Sequence, residues 1–457
     1  MVAPLFNDSS SGWAWTNNSR GVWVGTGTPY PRLSLARADQ VAYSRPVTRR
    51  QVEFGGAVIL IGLLAGVAGA ATTVLLHWIE HATFNYTFGS LLDGVTGSSP
   101  VRRALGPMLG GALAGAGWWL LRRRVAVPAL TDSIKAHGPL PRLTLSIDAA
   151  LQVLLVGSGA SLGREGAPRQ LAAALGDVGT SRWTLSARDR EILLCCAAGA
   201  GLGAVYSVPI GGALFAAQIL LRSWHPRVLG TALITSSLAV AVASVVTHDA
   251  TPLAWPDPGR TPGLLVIAVL LAPLALGVGI AFDRLMAAAR PDRLIRSWVL
   301  IPAIAGAGLV IGICSHWWPE LPGNGKSILT VSIDSGMTLG TAATLLVLKP
   351  LVTALFLRAG AVGGMLTPSL ATGAALGSAC ALAVTGLSGF DISVPVISLA
   401  CAAGVLAVTQ RAPVWAGIFV WELARPPWWL LVVFLAAALS AYGLRRLGER
   451  YLSAGRH

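Results

Sequence analysis

Charge is scarce in this chain. Asp, Glu, Lys and Arg together make up 12% of its 457 residues, against about 25% in an average soluble protein. That excludes an ordinary soluble globule, and the apolar content excludes a disordered, solvating chain. Cysteine is scarce too: five residues, Cys195, Cys196, Cys314, Cys380 and Cys401, all in or beside apolar stretches and none in C-x-x-C spacing. They are expected to be packing residues, not disulfide partners or metal ligands. Acidic residues are the rarer sign, 20 against 34 basic, for a formal net charge of +14. In a soluble domain this would suggest nucleic acid. Here Arg49 and Arg50, Arg122 to Arg124, and Arg445 and Arg446 lie beside apolar runs, where basic residues mark cytoplasmic ends of membrane spans. No nucleic-acid partner is expected. Residues 1–50 lack an apolar core with a cleavage site and read as a disordered cytoplasmic tail with no signal peptide.

What is abundant fits a membrane bundle. Apolar residues reach 54%, with 53 Gly and 16 Trp; small residues let helices approach closely and Trp favours bilayer interfaces. Apolar stretches recur at 55–76, 105–121, 192–221, 228–246, 264–281, 298–317, 339–357 and 415–441, several near the roughly 20 residues a spanning helix needs. Two more, 151–175 and 359–383, are broken by Gly and Pro. Non-helical backbone at membrane depth survives only where protein or a water-filled path satisfies it.

These two broken segments repeat one another. Gly163-Arg-Glu-Gly-Ala-Pro168 aligns with Gly363-Gly-Met-Leu-Thr-Pro368, Cys196-Ala-Ala-Gly199 with Cys401-Ala-Ala-Gly404, and the segment from Val208 to Phe215 with that from Ala412 to Phe419, at offsets of 200 to 205. Three matches in order indicate a duplication. The membrane domain, 51–457, divides into repeats of about 51–250 and 260–457, joined by a Pro-rich link at 251–262. The expected fold class is an all-α polytopic membrane protein. Arg102 and Arg103 fit a cytoplasmic placement of the basic clusters poorly, because they follow the first span.

In both repeats Pro168 and Pro368 mark the first turn of a new helix, whose leading amides lack intrahelical partners. Two such helix starts aimed at one point form a cradle for an anion. Glu165 lies in it, and an ionisable residue at membrane depth is a functional candidate by default. Its carboxylate can occupy and block the cradle; the alternatives are an ion pair with Arg164 that only holds the loop, or simple capping of the helix start.

At these residues the chain resembles the CLC family of chloride channels and chloride/proton exchangers. Residues 157–168 are similar to its G-R-E-G-P motif, 363–368 to its G-x-F-x-P motif, and the Pro209 and Pro413 segments to its dimer-contact helices. The resemblance implies an inverted repeat with broken helices meeting near the bilayer midplane, a homodimer in the plasma membrane with both termini cytoplasmic, one anion pathway per subunit, and no enzymatic activity. It makes Glu165 the gating carboxylate, places Gly163, Arg164 and Gly166 beside it, and assigns anion binding to the amides of Met365 and Leu366. Tyr451 takes the role of the late coordinating tyrosine, with Tyr442 as rival.

Departures from the family bear on mechanism. Val125 stands where the inner serine is expected, and Ile219, preceded by Gln218, stands where exchangers carry an internal proton glutamate. Two readings therefore stand: chloride transport coupled to proton counter-transport, and an uncoupled voltage- or pH-gated channel. No cofactor is expected beyond the transported chloride, and no regulatory nucleotide-binding module after the last span. His77-Trp-Ile-Glu-His81 spells a zinc order but ends a long apolar span, where polar interfacial residues are ordinary. Gly323-Asn-Gly-Lys-Ser327 lacks the first glycine of a phosphate loop and reads as a turn. A metalloenzyme built on His77, Glu80 and His81, and a cation-coupled solute carrier, are the remote alternatives.

Overall fold

The computed structural model describes residues 14–17, 23–26, 47–247, 255, 263–292, 294–389 and 392–454. Ala14–Asn17 (β1) and Trp23–Thr26 (β2) pair antiparallel; the rest of the expected tail before 47, and most of the 251–262 link, lie outside the described residues. In the first repeat the helices are α1 (Val47–Phe84), α2 (Leu91–Gly97), α3 (Pro100–Arg124), α4 (Leu130–Lys135), α5 (Arg142–Gly157), α6 (Gly166–Thr180), α7 (Ala187–Tyr206), α8 (Pro209–Leu214, continuing as a π-helix over Phe215–Leu220) and α9 (Pro226–Thr247). The second holds α10 (Gly263–Leu270), α11 (Ala272–Ala289), α12 (Leu300–Cys314), α13 (Lys326–Ile333), α14 (Leu339–Arg358), α15 (Leu366–Ser388), α16 (Val394–Gln410), α17 (Pro413–Ala424) and α18 (Leu430–Ala454). Seven helical segments among the described residues, one of them running through α10 and α11, are long and apolar enough to cross a membrane.

Three stretches that read as continuous in sequence are each two helices. The 192–221 stretch breaks where Ser207 turns left-handed (φ 54°) ahead of Pro209, and 415–441 breaks at Arg425 (φ 49°) ahead of Pro426 and Pro427. The 264–281 stretch divides at Leu271, with Pro273 in the first turn of α11. In each case proline cannot donate to the preceding turn, and it disfavours helix at the residue before it.

The repeat is visible as paired contacts. Ser207 closes α7 at φ 54° and its counterpart Arg411 closes α16 at φ 55°. Gly111 on α3 lies against the Ile304 carbonyl of α12, while Gly308 on α12 lies against the Pro107 carbonyl of α3, the close approach that small residues permit. The helix starts of α8 and α17 cap each other. Glu422 of α17 accepts from the Ile210 and Gly211 amides (3.0 and 2.6 Å), and Gln218 accepts from the Trp415 amide (3.1 Å). Gln218 and Glu422 are equivalent positions, as are Gly211 and Trp415. Such reciprocity is what a two-fold axis between the halves produces.

Several arginines that read as surface markers are structural. Arg102 donates to the last carbonyls of α1, Thr83 and Ala82 (2.7 and 2.6 Å), and Arg103 to those of Thr96, Ser98 and Ser315. Their poor fit to a charge rule follows, since these side chains cap helix ends. Arg122 is buried, stacks on Trp118 and donates to the Ile295 and Gly360 carbonyls (3.2 and 3.0 Å). It ties α3 to the loop that carries the second broken segment.

Candidate functional site

The two broken segments meet. After α5 the chain turns at Gly159 and runs non-helically to α6; after α14 it turns at Gly360 and runs to α15. Between these runs Gly163 and Gly364 form an antiparallel bridge, each amide donating to the other's carbonyl (2.8 and 2.9 Å). The backbone polar groups freed by breaking two helices thus satisfy one another across the repeats.

Glu165, the residue before α6, is 1% exposed. Its Oε1 accepts from the Leu366 amide at the start of α15 (2.7 Å), and its Oε2 accepts from the Thr367 hydroxyl (3.2 Å) and the Tyr206 phenol (3.4 Å). A carboxylate from one repeat therefore occupies the N-terminal donors of a helix from the other, where the helix dipole favours negative charge. A Cβ on Gly364 would land on this carboxylate, so the position must stay glycine for the acid to lie here.

The expected residues sort unevenly around this point. Gly163 supplies the bridge and Gly166 opens α6. Leu366 donates to the carboxylate, whereas Met365 is the residue capping α15 and its amide makes no bond to Glu165. Arg164 turns away: it donates to the Val205 carbonyl (3.0 Å) and lies over the Tyr206 ring (5.0 Å). Among the described residues no Arg164–Glu165 ion pair forms, so Arg164 orients the phenol that touches the acid.

Tyr451 is not brought to the carboxylate. α18 runs unbroken to Ala454 and leaves Tyr451 78% exposed near its end, while Tyr442 packs against the second-repeat core. The phenol at the site is Tyr206, which sequence reasoning missed, as it did Thr367. Thr367 lay within the repeated motif one residue before Pro368. Tyr206 is the last residue before the Ser207 break, a position that marks a helix end near the site.

A buried polar network supports the start of α6. Asp148 accepts from Trp118 Nε1, Gln152 Nε2 and Gln170 Nε2 (2.7, 2.8 and 2.9 Å), and Gln152 also donates to Gln170 Oε1 (3.0 Å). A Cβ on Gly166 would strike the Gln152 amide oxygen, so the network sets how closely α5 and α6 approach.

Two discounted motifs have structural roles. Lys349, fully buried, donates to the Leu321 and Gly323 carbonyls (2.9 and 2.7 Å) and fixes the 323–327 turn. Glu80 faces the Tyr86 hydroxyl (3.5 Å) and His81 packs on the Tyr86 ring. No group of three or more His, Cys, Asp or Glu among the described residues is arranged to hold a metal.

A duplicated helical bundle that closes two broken helices around one carboxylate has the architecture of a membrane anion transporter. The chain belongs to the voltage gated chloride channel family, whose family model matches residues 110–446. It is 28% identical over 401 residues to the voltage-gated ClC-type chloride channel ClcB of Escherichia coli O17:K52:H18 (strain UMN026 / ExPEC), covering 83% of this chain and 94% of that one. The fold matches a slow cyanobacterial Cl−/H+ antiporter with a TM-score of 0.73 at 20% identity, over 89% of this chain and 99% of that chain. A CLC-type fluoride/proton antiporter follows at 0.68 and 16%, over 87% and 96%. The protein is a multi-pass membrane protein of the CLC fold, with its inverted repeat, and belongs to a family of anion transporters and channels, not of enzymes.

Proposed function

We propose that the chain passes chloride, or a similar monovalent anion, through a pathway in each subunit, and that Glu165 is the gate of that pathway. One observation carries the reading: the Leu366 amide, a helix-start donor suited to a halide, is held by Oε1 of Glu165 at 2.7 Å. Leu366, Thr367 and Tyr206 form a donor set that a halide and a carboxylate oxygen both fit. The carboxylate has the advantage of being tethered, which gives it a high effective concentration. An anion takes its place when Glu165 is protonated or swings away. A hydrogen bond to a charged group contributes about 1.5–3 kcal/mol and a partly buried helix start up to about 2 kcal/mol. Binding of that order removes part of an ion's hydration and still releases it, as conduction requires.

The channel and exchanger readings differ at the contact helix. Ile219 packs against the second-repeat core and the Gln218 carbonyl is taken by the Trp415 amide. From Pro209 to Leu220 the sequence holds no titratable side chain, which favours conduction without obligatory proton exchange. Two copies meeting through the Pro209 and Pro413 helices, in the plasma membrane with termini in the cytoplasm, complete the reading.

The test is chloride efflux from liposomes with simultaneous pH recording. Glu165→Gln is expected to keep chloride movement and lose its dependence on pH; unchanged pH-dependent flux in that variant refutes the gate. Reversal at the chloride potential alone, under separate chloride and proton gradients, is the expected result for uncoupled conduction.

A further inference from the structure

Arg169 lies one helical turn after Glu165 on α6. Its guanidinium stacks over the Phe215 ring at 4.7 Å, and its Nε is shut off from solvent with no hydrogen-bond partner. The other arginines inside the bundle are held differently. Arg122, Arg164 and Arg445 donate to backbone carbonyls, while Arg142 and Arg190 both pair with Asp177. Among the described residues Arg169 has neither a carbonyl acceptor nor a carboxylate within ion-pair distance. Glu165, the nearest acid along the chain, directs both oxygens to Leu366, Thr367 and Tyr206.

An arginine does not shed its proton, and an unpaired charge at membrane depth is expensive. A ring face offsets only part of that cost. The remaining counter-charge has to come from outside the chain, and the protein leaves the residue partly uncovered. A guanidinium offers several N–H donors to a small anion. Phe215, on the π-helical turn four residues before Ile219, closes one face and leaves the edges for the ion.

We propose that Arg169 holds a second halide, one helical turn along α6 from the Glu165 carboxylate, through charge-assisted N–H donors. The inference rests on the anion pathway proposed above and not on Glu165 being its gate.

The experiment is anomalous diffraction from bromide-soaked crystals of the full-length protein, in Glu165→Gln and in Glu165→Gln/Arg169→Gln. Two bromides per subunit are expected in the first, at the Leu366 donors and at Arg169, and the second variant is expected to lose only the Arg169 peak. Arg169→Met, of similar length and apolar, should lose the same peak should the glutamine variant fail to fold. Bromide at Leu366 with none at Arg169 in Glu165→Gln overturns this inference and leaves the gate standing. Bromide at Arg169 with none at Leu366 overturns the gate and supports the second site. Absence of both overturns both.

Discussion

Removing the hydroxyls that face Glu165 gives a test whose outcome depends on what else competes for them. Thr367→Val and Tyr206→Phe each delete one donor to Oε2, at 3.2 and 3.4 Å, and leave the Leu366 amide at 2.7 Å in place. Charge-assisted O–H donors are strongest at about 2.5–2.7 Å, so each long hydroxyl contact is assigned about 0.5–1.5 kcal/mol, a factor of about two to twelve in an equilibrium constant. With the carboxylate seated, apparent halide affinity is the intrinsic affinity divided by the closure constant. If carboxylate and halide use the same hydroxyls, both fall by a similar factor and the ratio barely moves. In Glu165→Gln the charged competitor is gone and the whole loss appears. Titration calorimetry with bromide should therefore show each hydroxyl variant within about twofold of wild type when Glu165 is present, and about two- to twelvefold weaker in the Glu165→Gln background. Equal losses in both backgrounds would mean that the hydroxyls serve the halide and not the acid. No loss in Glu165→Gln would mean that the halide does not take the carboxylate's place, and the gate would fail with it.

The reciprocal caps between α8 and α17 should report on stability. Glu422→Ala strands the Ile210 and Gly211 amides and Gln218→Ala strands only that of Trp415; at about 1–3 kcal/mol per stranded group, the first should lower the thermal midpoint in detergent about twice as far. Glu422→Gln keeps one acceptor oxygen and turns an NH2 toward the other amide, so it should recover no more than about half of the loss, and equal shifts for the two alanine variants would argue against the caps. In the loop after α1, the Ser90 amide and hydroxyl hold the exposed Asp93 carboxyl below its ordinary range. A depressed value in the folded state stabilises α2 above the unfolded carboxyl range and is lost as pH falls through the depressed value. Protection of Leu91–Gly97 against hydrogen exchange, taken relative to the chemical rate at each pH, should thus fall under acid, and Ser90→Ala, which removes the hydroxyl donor and keeps the amide, should reduce that dependence.

The membrane class and the duplication were legible because they rest on composition and on residue identities that any conformation must carry. The meeting of residues 163–166 with 363–368 was legible for the same reason, since Gly and Pro at equivalent positions announce two interrupted helices. What could not be read were contacts between elements far apart in the chain. Tyr206 reaches Glu165 because a left-handed Ser207 ends α7 there, and nothing in local hydrophobicity marks that ring as facing an acid. Tyr451 is the opposite case: the resemblance gives it the late tyrosine's role, but the unbroken α18 carries it to an exposed position. The divided 415–441 stretch was readable in principle from Pro426 and Pro427, whose signal is submerged in the hydropathy of the flanking residues. Arg122 shows the limit of charge counting, because its place beside an apolar run fits a cytoplasmic marker and its hydrogen bonds belong to the buried Gly360 loop.

The two repeats do not contribute equally to the site, and electrostatics gives the reason. Position by position, Glu165, Gly166 and Ala167 correspond to Met365, Leu366 and Thr367. The first repeat supplies the charge on a flexible side chain and the Tyr206 phenol beside it; the second supplies the Thr367 hydroxyl and the Leu366 amide that receive it. A strictly symmetric site would place a second carboxylate at 365, and two unit charges about 4 Å apart repel by about 4 kcal/mol at an effective dielectric of about 20. That repulsion would drive one acid out or force it to hold a proton, and it would oppose an incoming halide as well. With an apolar Met365, one carboxylate balances one set of donors, which is what the proposed replacement of Glu165 by a monovalent anion requires. Duplication therefore accounts for the two helix starts, and divergence at the single pair Glu165 and Met365 accounts for a site with one negative charge.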